Sequence, residues 1–179
     1  MDRKVNAPAV NAPTANAPAV NAPTANAPAV DAPAVNAPAD ERSTTVLKCH
    51  VGIGKRVQGE ALVANDNFSA RYDLDRLQGI FSRPDHVLAG QSYVDKIVVV
   101  NTAKGGVATA WMLYEMVSRG MAPRALLFNT ANTILAQGAA LAEMALCDRF
   151  EAGDVTTLIK TGDSLDVNPE RGEVTILRR

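Results

Sequence analysis

The period of the apolar positions changes along residues 44–179, and each change marks a predicted element. Residues 44–51 and 60–64 are rich in β-branched and other apolar side chains and are separated by glycines, which predicts two strands. Residues 97–100 and 124–128 contain the unbroken apolar runs found in strands that are covered on both faces. These four segments predict a sheet with a buried middle.

Helical periodicity follows each of the two unbroken runs. In the first helix the apolar positions recur at helical spacing: Val107, Ala110, Trp111 and Tyr114. Gly120 ends this helix, and Pro123 lies just beyond it. Asn132 or Thr133 caps a second helix, whose apolar positions continue to Ala145. The order strand, helix, strand, helix predicts a parallel β-α-β unit with a right-handed crossover.

The last part of the chain returns to β character. Residues 155–159 and 162–167 predict two strands, and the second of them forms a hairpin with residues 173–177 through a turn at 168–172. Residues 65–95 have mixed charges and scattered apolar positions, which is typical of a long irregular connection. The predicted fold class is α/β in three layers, with an antiparallel or barrel-like β part from both ends of the domain and a central β-α-β part.

The first part of the chain has a different composition from the rest. Residues 6–40 repeat a five-residue unit of the type Asn-Ala-Pro-Ala-Val, with a proline in every unit. Each proline removes an amide donor, and alanine supplies too little apolar surface to offset the entropy of ordering. We therefore predict a disordered, partly polyproline-II tail over residues 1–43 and one folded domain over residues 44–179.

Composition limits the classes of partner. The net charge is −1 and aromatic residues are 4% of the chain, so neither a broad basic surface nor a stacking platform for nucleic acid is indicated. No signal peptide or membrane-spanning run is evident, which predicts a cytoplasmic protein without membrane contact. Cys49 and Cys147 belong to no paired motif and are expected to be core thiols.

Candidate chemistry lies where the first buried strand gives way to a helix. Lys104, Gly105 and Gly106 would sit at the carboxyl end of a strand and the amino end of a helix, where free amides and the helix dipole attract an anion. The pattern matches neither nucleotide-binding fingerprint, so a carboxylate or single phosphate is the expected ligand. A glycine pair that merely permits a tight turn explains the same residues equally well.

A complete catalytic set is not evident in the sequence. Asn132 would follow the second buried strand, where it could serve a ligand or cap a helix. His50 is expected to be structural within a strand, and the role of His86 in the long loop is open. Asp73 and the charged residues around it are expected to form surface ion pairs. With no metal-ligand pattern either, the chain resembles one half of a site.

Several spaced motifs together resemble the swivelling domain of aconitase X, the small subunit of the aconitase X dehydratases. The resemblance covers residues 46–177. It rests on the following motifs and single residues: GEALV at 59–63, Ser69, Asp75, Gly79, His86, GQS at 90–92, the strand and turn at 96–106, LYE at 113–115, Gly120, Ala122-Pro123, and ILAQG at 134–138. It implies a swivelling β/β/α domain like the fourth domain of aconitase. It also implies that this chain binds no cofactor itself and closes over a large subunit that carries an iron or iron–sulfur centre.

The resemblance implies a hydro-lyase subunit that is inactive without its large partner. Dehydration of cis-3-hydroxy-L-proline and of mevalonate 5-phosphate are the two activities of the family. Family members commonly have Gly-Arg-Gly-Ser at the turn, where this chain has Ala103-Lys-Gly-Gly106, and Ser69 opens a loop that also departs from the pattern. This favours cis-3-hydroxy-L-proline, dehydrated to pyrroline-2-carboxylate.

The site residues follow from the turn and the resemblance together. Lys104 and Ser69 are the candidate catalytic residues. The candidate substrate-binding residues share a position at the two strand ends: Thr102, Lys104, Gly105, Gly106 and Asn132. Two alternatives remain: a small subunit of phosphomevalonate dehydratase, and a binding or assembly module that keeps the swivelling fold without catalysis.

Overall fold

The computed structural model describes residues 44–177, so the prediction for the repeat tail at 1–43 lies outside the described residues. Nine strands, three α-helices and one short 3-10 helix occur in the described part. In chain order they are β1 (Thr44–Lys48), β2 (Val57–Val63), β3 (Leu74–Asp75), β4 (Ile80–Phe81), β5 (Ile97–Thr102), α1 (Val107–Ser118), β6 (Ala125–Thr130), α2 (Thr133–Leu141), β7 (Ala145–Asp148), α3 (Val155–Leu158), β8 (Ser164–Asn168), the 3-10 helix (Pro169–Arg171) and β9 (Glu173–Leu177).

Seven of the strands form one mixed sheet in the order β1-β9-β8-β2-β5-β6-β7. The strands β2, β5, β6 and β7 are parallel, whereas β2–β8, β8–β9 and β9–β1 are antiparallel pairs. The parallel half contains the predicted β-α-β unit, and the antiparallel half is built from both ends of the domain. Both features, and the β8–β9 hairpin, confirm the predictions.

The continuous apolar runs of β5 and β6 are buried on both faces of the sheet. Val98 and Val100 face one core together with Leu126, Leu113 of α1 and the aromatic residues of the 65–95 connection. Ile97 and Val99 face a second core, which includes Val155 of α3 and the inward side chains of β8 and β9. The sheet is therefore the middle of three layers, because α1 and α2 cover one face and α3 lies on the other.

The buried face of α1 differs from the prediction. Val107, Trp111 and Tyr114 are 63%, 64% and 54% exposed, whereas the buried positions are Thr109, Ala110, Leu113 and Met116. Both sets have helical spacing, and the packing of α2 decides between them. A Cβ atom on Gly138 of α2 would lie 2.5 Å from the Ala110 Cα atom, so the helices meet where both have their smallest residues.

Two elements in the second half of the chain also differ from the prediction. Residues 155–159 were expected to form a strand, but α3 begins there because the Asp154 side chain accepts from the Thr156 N–H at 2.9 Å and caps the helix. The helix α2 ends at Leu141 rather than continuing to Ala145, which lies in the unpredicted strand β7. None of the helices in the described part combines the length and apolarity needed to cross a membrane.

Candidate functional site

The turn from β5 to α1 lies at the carboxyl edge of the parallel strands, as predicted. The strands β5 and β6 are adjacent and in register to their ends, since Thr102 pairs with Thr130. The residues of the turn, Lys104 to Gly106, come directly before the first residue of α1. This places the candidate lysine and glycines at the edge where open α/β sheets bind ligands.

The start of α1 is not closed by a side chain. Gly106 is the N-cap residue and has no side chain to cap the helix; the Thr109 N–H donates to its carbonyl oxygen at 2.9 Å, whereas the Val107 and Ala108 amides are open to an external acceptor. A Cβ atom on Gly106 would meet nothing within 4 Å, which shows open space beside it. Lys104 is exposed and has no carboxylate partner among residues 44–177. An exposed cation and free amides therefore occur within the same short turn.

Asn132 connects α2 to this turn. Its Oδ1 accepts from the Leu135 N–H at 2.8 Å, which confirms the capping interpretation. Its Nδ2 donates to the carbonyl oxygens of Ala103 at 3.2 Å and Gly105 at 3.3 Å. With both ends of the side chain engaged, Asn132 braces the turn, and its direct contact with a substrate stays a prediction.

Ser69 lies beside the turn although it is remote in sequence. The Lys104 N–H donates to the Phe68 carbonyl oxygen at 2.7 Å and joins the two segments. Ser69 is 3% exposed, and its Oγ has no hydrogen-bond partner in the described part of the chain. Thr102 is exposed at the end of β5, and its carbonyl oxygen accepts from the Phe68 N–H at 2.9 Å. The structure thus brings Ser69, Thr102 and Lys104 to one edge.

Thr109 belongs to the same neighbourhood and was not predicted. It is 2% exposed, and its Oγ1 also has no hydrogen-bond partner within residues 44–177. A Cβ atom on Gly105 would lie 2.2 Å from Thr109 Oγ1 and 3.5 Å from Ser69 Oγ. A threonine three residues after a glycine pair is the only sequence signal for it, and that signal is weak.

Asp73 is not part of a surface ion pair, which corrects the expectation. It is buried, its Oδ2 accepts from the Ser69 N–H at 2.7 Å, and its Oδ1 lies 2.9 Å from Arg83 Nε. A second nitrogen of Arg83 donates to Asp66 Oδ2 at 2.9 Å. Residues 66–83 are therefore held as a network, because a buried carboxylate needs both its charge and its lone pairs satisfied.

His86 is buried behind this network rather than exposed. It stacks on Phe81 with ring centroids 4.5 Å apart, and its Nδ1 accepts from the Leu88 N–H at 3.0 Å. The neutral ring therefore has its proton on Nε2, 3.9 Å from Asp66 Oδ2. Burial lowers the pKa of His86 below its ordinary value, against the opposing charges of Asp66 and Asp73.

His50 and the two cysteines lie at or beside β7. His50 follows β1 and is exposed, so the expectation of a structural strand residue was wrong. Cys147 is buried and Cys49 half-buried, both as free thiols. The neighbouring Cys147 thiol lowers the pKa of Cys49, and the same interaction together with burial raises that of Cys147. Among residues 44–177 no cluster of three or more His, Cys, Asp or Glu side chains fits a metal ion.

The sequence matches a described protein family over nearly all of the folded part. The model of the aconitase X swivel domain matches residues 46–176. A protein of Archaeoglobus fulgidus named phosphomevalonate dehydratase small subunit is 33% identical over 127 residues, covering 68% of this chain and 91% of that protein. A Thermococcus sibiricus protein of the same name is 29% identical over 123 residues, covering 69% of this chain and 92% of that protein.

Solved structures agree with this fold. The crystal structure of Thermococcus kodakaraensis aconitase X in its holo form matches with a TM-score of 0.69 and 28% identity, over 75% of this chain and 99% of that chain. The solution NMR structure of a UPF0107 protein matches with a TM-score of 0.64 and 32% identity, over 73% and 97%. The predicted swivelling β/β/α class is confirmed, and the chain belongs to the aconitase X swivel-domain family.

Proposed function

We propose that this chain is the small subunit of an aconitase X dehydratase and contributes a carboxylate-binding turn to its active site. The family match and the name shared by the archaeal relatives support a dehydratase small subunit. The observation that carries the turn's role is Lys104, without a carboxylate partner among residues 44–177, beside the uncapped start of α1. The name "small subunit" implies a large partner, and we propose that the remaining half of the site is on it.

The turn suits the charge that develops when a β-hydroxy acid loses water. The α-proton leaves and negative charge moves toward the carboxylate, so a cation and preorganised amides at the carboxylate lower the barrier. Lys104 supplies the cation, and the amides of Gly105 and Gly106 and of the first two residues of α1 supply the donors. We propose that an iron or iron–sulfur centre, which acts as a Lewis acid toward the departing hydroxyl, belongs to the large subunit.

Mevalonate 5-phosphate is the substrate that the relatives support. The proteins of Archaeoglobus fulgidus, Thermococcus sibiricus and Methanosarcina acetivorans all carry the name phosphomevalonate dehydratase small subunit. Their similarity supports this substrate better than the cis-3-hydroxy-L-proline favoured by the sequence. Both substrates are β-hydroxy acids, so the turn would bind the carboxylate in the same way.

The chemistry of the turn favours cis-3-hydroxy-L-proline as a second candidate. Lys104 is the only cationic side chain in residues 101–106, which matches a ligand with one carboxylate rather than one with an additional phosphate. Gly106 also stands where the resemblance leads one to expect a serine. A phosphate would then need its cations from the large subunit.

The test is to capture the tagged full chain with its large subunit and to assay the complex on both substrates. We expect a large metal-containing partner and dehydration of mevalonate 5-phosphate. If the complex dehydrates cis-3-hydroxy-L-proline but not mevalonate 5-phosphate, the second candidate is the substrate. Capture of no large subunit, together with no turnover of either compound, would overturn the dehydratase proposal and leave the non-catalytic binding module.

A further inference from the structure

Two buried hydroxyl groups lie together beneath Gly105. Ser69 Oγ comes from the 65–95 connection and Thr109 Oγ1 from the first turn of α1, and neither has a hydrogen-bond partner within residues 44–177. The position of a Cβ atom on Gly105 is 2.2 Å from the Thr109 oxygen and 3.5 Å from the Ser69 oxygen. Gly105 therefore covers both hydroxyls, and no other residue could take its place without displacing Thr109.

Unpartnered hydroxyls are costly inside a protein, because each has given up its hydrogen bonds to water. A helical threonine commonly relieves this cost by donating to the carbonyl oxygen one turn back. For Thr109 that oxygen belongs to Gly105, and no hydrogen bond joins it to Thr109 Oγ1. Such a group in a folded protein calls for a partner outside the chain.

The Ser69 hydroxyl is held in its position by a rigid support. The Asp73 carboxylate accepts from the Ser69 N–H at 2.7 Å, and the Asp73 N–H donates back to the Ser69 carbonyl oxygen at 3.0 Å. Arg83 holds the same carboxylate at 2.9 Å. The loop that presents Ser69 is thus fixed by Asp73 and Arg83, as a preorganised binding group requires.

We propose that Ser69 and Thr109 form a two-hydroxyl subsite for one oxygen of the substrate carboxylate, with Asp73 and Arg83 as positioning residues for Ser69. Gly105 separates the ligand from the hydroxyls, so the ligand reaches them when the Gly105 peptide moves aside, and a glycine, which has no side chain, can change its backbone conformation with little steric cost. The other carboxylate oxygen then faces Lys104 and the open amides of α1. The identity of the ligand rests on the proposed function, whereas the subsite rests on the two hydroxyls.

The first test uses the complex of full chain and large subunit. Thr109→Val keeps the shape of the side chain and removes only the hydroxyl. We expect kcat/KM for the carboxylate substrate to fall about tenfold or more, as for a lost hydrogen bond to a charged group. The matched control is Thr175→Val on β9, remote from the turn and half-buried. An unchanged kcat/KM in Thr109→Val would overturn the proposal.

The second test does not need activity. In the full chain alone, Thr109→Val removes an unpartnered buried hydroxyl, so we expect Tm to rise by about 2–4 °C. The control Thr175→Val measures how much a threonine-to-valine substitution remote from the turn changes Tm. A lower Tm in Thr109→Val than in that control would show that the hydroxyl is bonded within the chain and would overturn the proposal.

A third measurement separates failure of the subsite from failure of the proposed function. If the wild-type complex dehydrates neither substrate, the ¹⁵N-labelled full chain is titrated with sodium acetate. Shifts of the Gly105, Gly106 and Thr109 amides that are lost in Thr109→Val would support the subsite and show that only the assigned reaction is wrong. No shift of these amides in the wild type would overturn the subsite.

Discussion

The carboxyl edge of β5 and β6 has a polar cluster on each face of the sheet, and the two clusters differ in how well they are satisfied. On the α3 face, Asn129 Nδ2 donates to Asn101 Oδ1 and to Asp154 Oδ1, each at 2.7 Å. Its Oδ1 accepts from the Val155 N–H at 2.8 Å, and Asn101 Nδ2 donates onward to Asn65. These hydrogen bonds connect β5, β6 and α3, and they leave few free donors or acceptors for a ligand.

On the α1 face the polar groups are not satisfied by hydrogen bonds within residues 44–177. The hydroxyls of Ser69 and Thr109 have no partner within residues 44–177, Gly106 leaves the helix start uncapped, and Lys104 is exposed. Both clusters occupy the same edge of the same strands, so topology alone does not select the site. From this difference in hydrogen-bond satisfaction we propose that the first cluster is structural and that the second binds the ligand.

Removing the cation of the open cluster should have the largest effect. We expect Lys104→Ala to lower the turnover of the reconstituted complex about a hundredfold, because it removes the charge that stabilises the developing carboxylate dianion. The matched control is Lys160→Ala, an exposed lysine on the far side of α3 from this turn. Full turnover in Lys104→Ala would contradict the role given to the turn.

Removing the centre of the satisfied cluster should affect stability instead. Asn129→Ala leaves the Val155 N–H and the side chains of Asn101 and Asp154 without their partner, so we expect the free energy of unfolding to fall by about 1–3 kcal/mol. The hydrogen bond from Asn129 also holds the pKa of Asp154 below its ordinary value, so that pKa should rise in the variant. Urea denaturation and NMR titration measure the two quantities. If neither the free energy of unfolding nor the pKa of Asp154 changes in the variant, the first cluster does not have the structural role that distinguishes it from the second.

The two glycines of the turn give a smaller and sharper contrast. Gly105 has φ of +111° and no room for a Cβ atom, whereas Gly106 has open space and an extended backbone. We expect Gly105→Ala to lower the free energy of unfolding by about 1–2 kcal/mol, and Gly106→Ala to change it by less than about 0.5 kcal/mol. Equal effects in a thermal unfolding series would show that Gly105 does not cover the hydroxyls closely.

The smallest effect concerns His86, behind the Ser69 loop. Because burial lowers its pKa in the folded chain, the unfolded chain takes up a proton first as the pH falls below about 6.5. The unfolded state then binds more protons, so stability falls with decreasing pH until the folded pKa is reached. Asp66, Asp73 and Arg83 are the charges that face the ring, and the carboxylates with lowered pKa act only in more acidic solution.

His86→Asn keeps an acceptor for the Leu88 N–H but does not titrate. We expect stability to fall in the wild type as the pH decreases below about 6.5, and this contribution to be absent in the variant. Urea unfolding at a series of pH values measures it. If the stability of His86→Asn still falls with decreasing pH in the same range, other groups cause the pH dependence.

The order of elements could be predicted because its signals are local. The unbroken apolar runs identified β5 and β6, and a lysine and two glycines between β5 and a helix identified the turn. Asn132 was found by its capping chemistry. Each of these signals lies within a few residues of the feature that it predicts, and the fold of the central unit follows from them.

The missed features depend on contacts between distant segments. The face of α1 is chosen by the approach of Gly138 to Ala110, so Trp111 and Tyr114 are exposed despite their apolar spacing. Asp73 resembled a surface charge because Arg83, its partner, lies on the other side of a small hairpin. Thr109 could not be identified from the sequence, because its role depends on its closeness to Gly105 and Ser69, and no local sequence pattern indicates that contact.

The most direct test is the dehydration rate of the isolated aconitase X large subunit as increasing amounts of this chain are added. We expect no turnover without the chain and a saturable rise with it, because the chain supplies the carboxylate-binding half of the site. The Lys104→Ala chain should saturate at the same concentration and reach a rate about a hundredfold lower. Full turnover by the large subunit alone would contradict the proposal that this chain completes the active site.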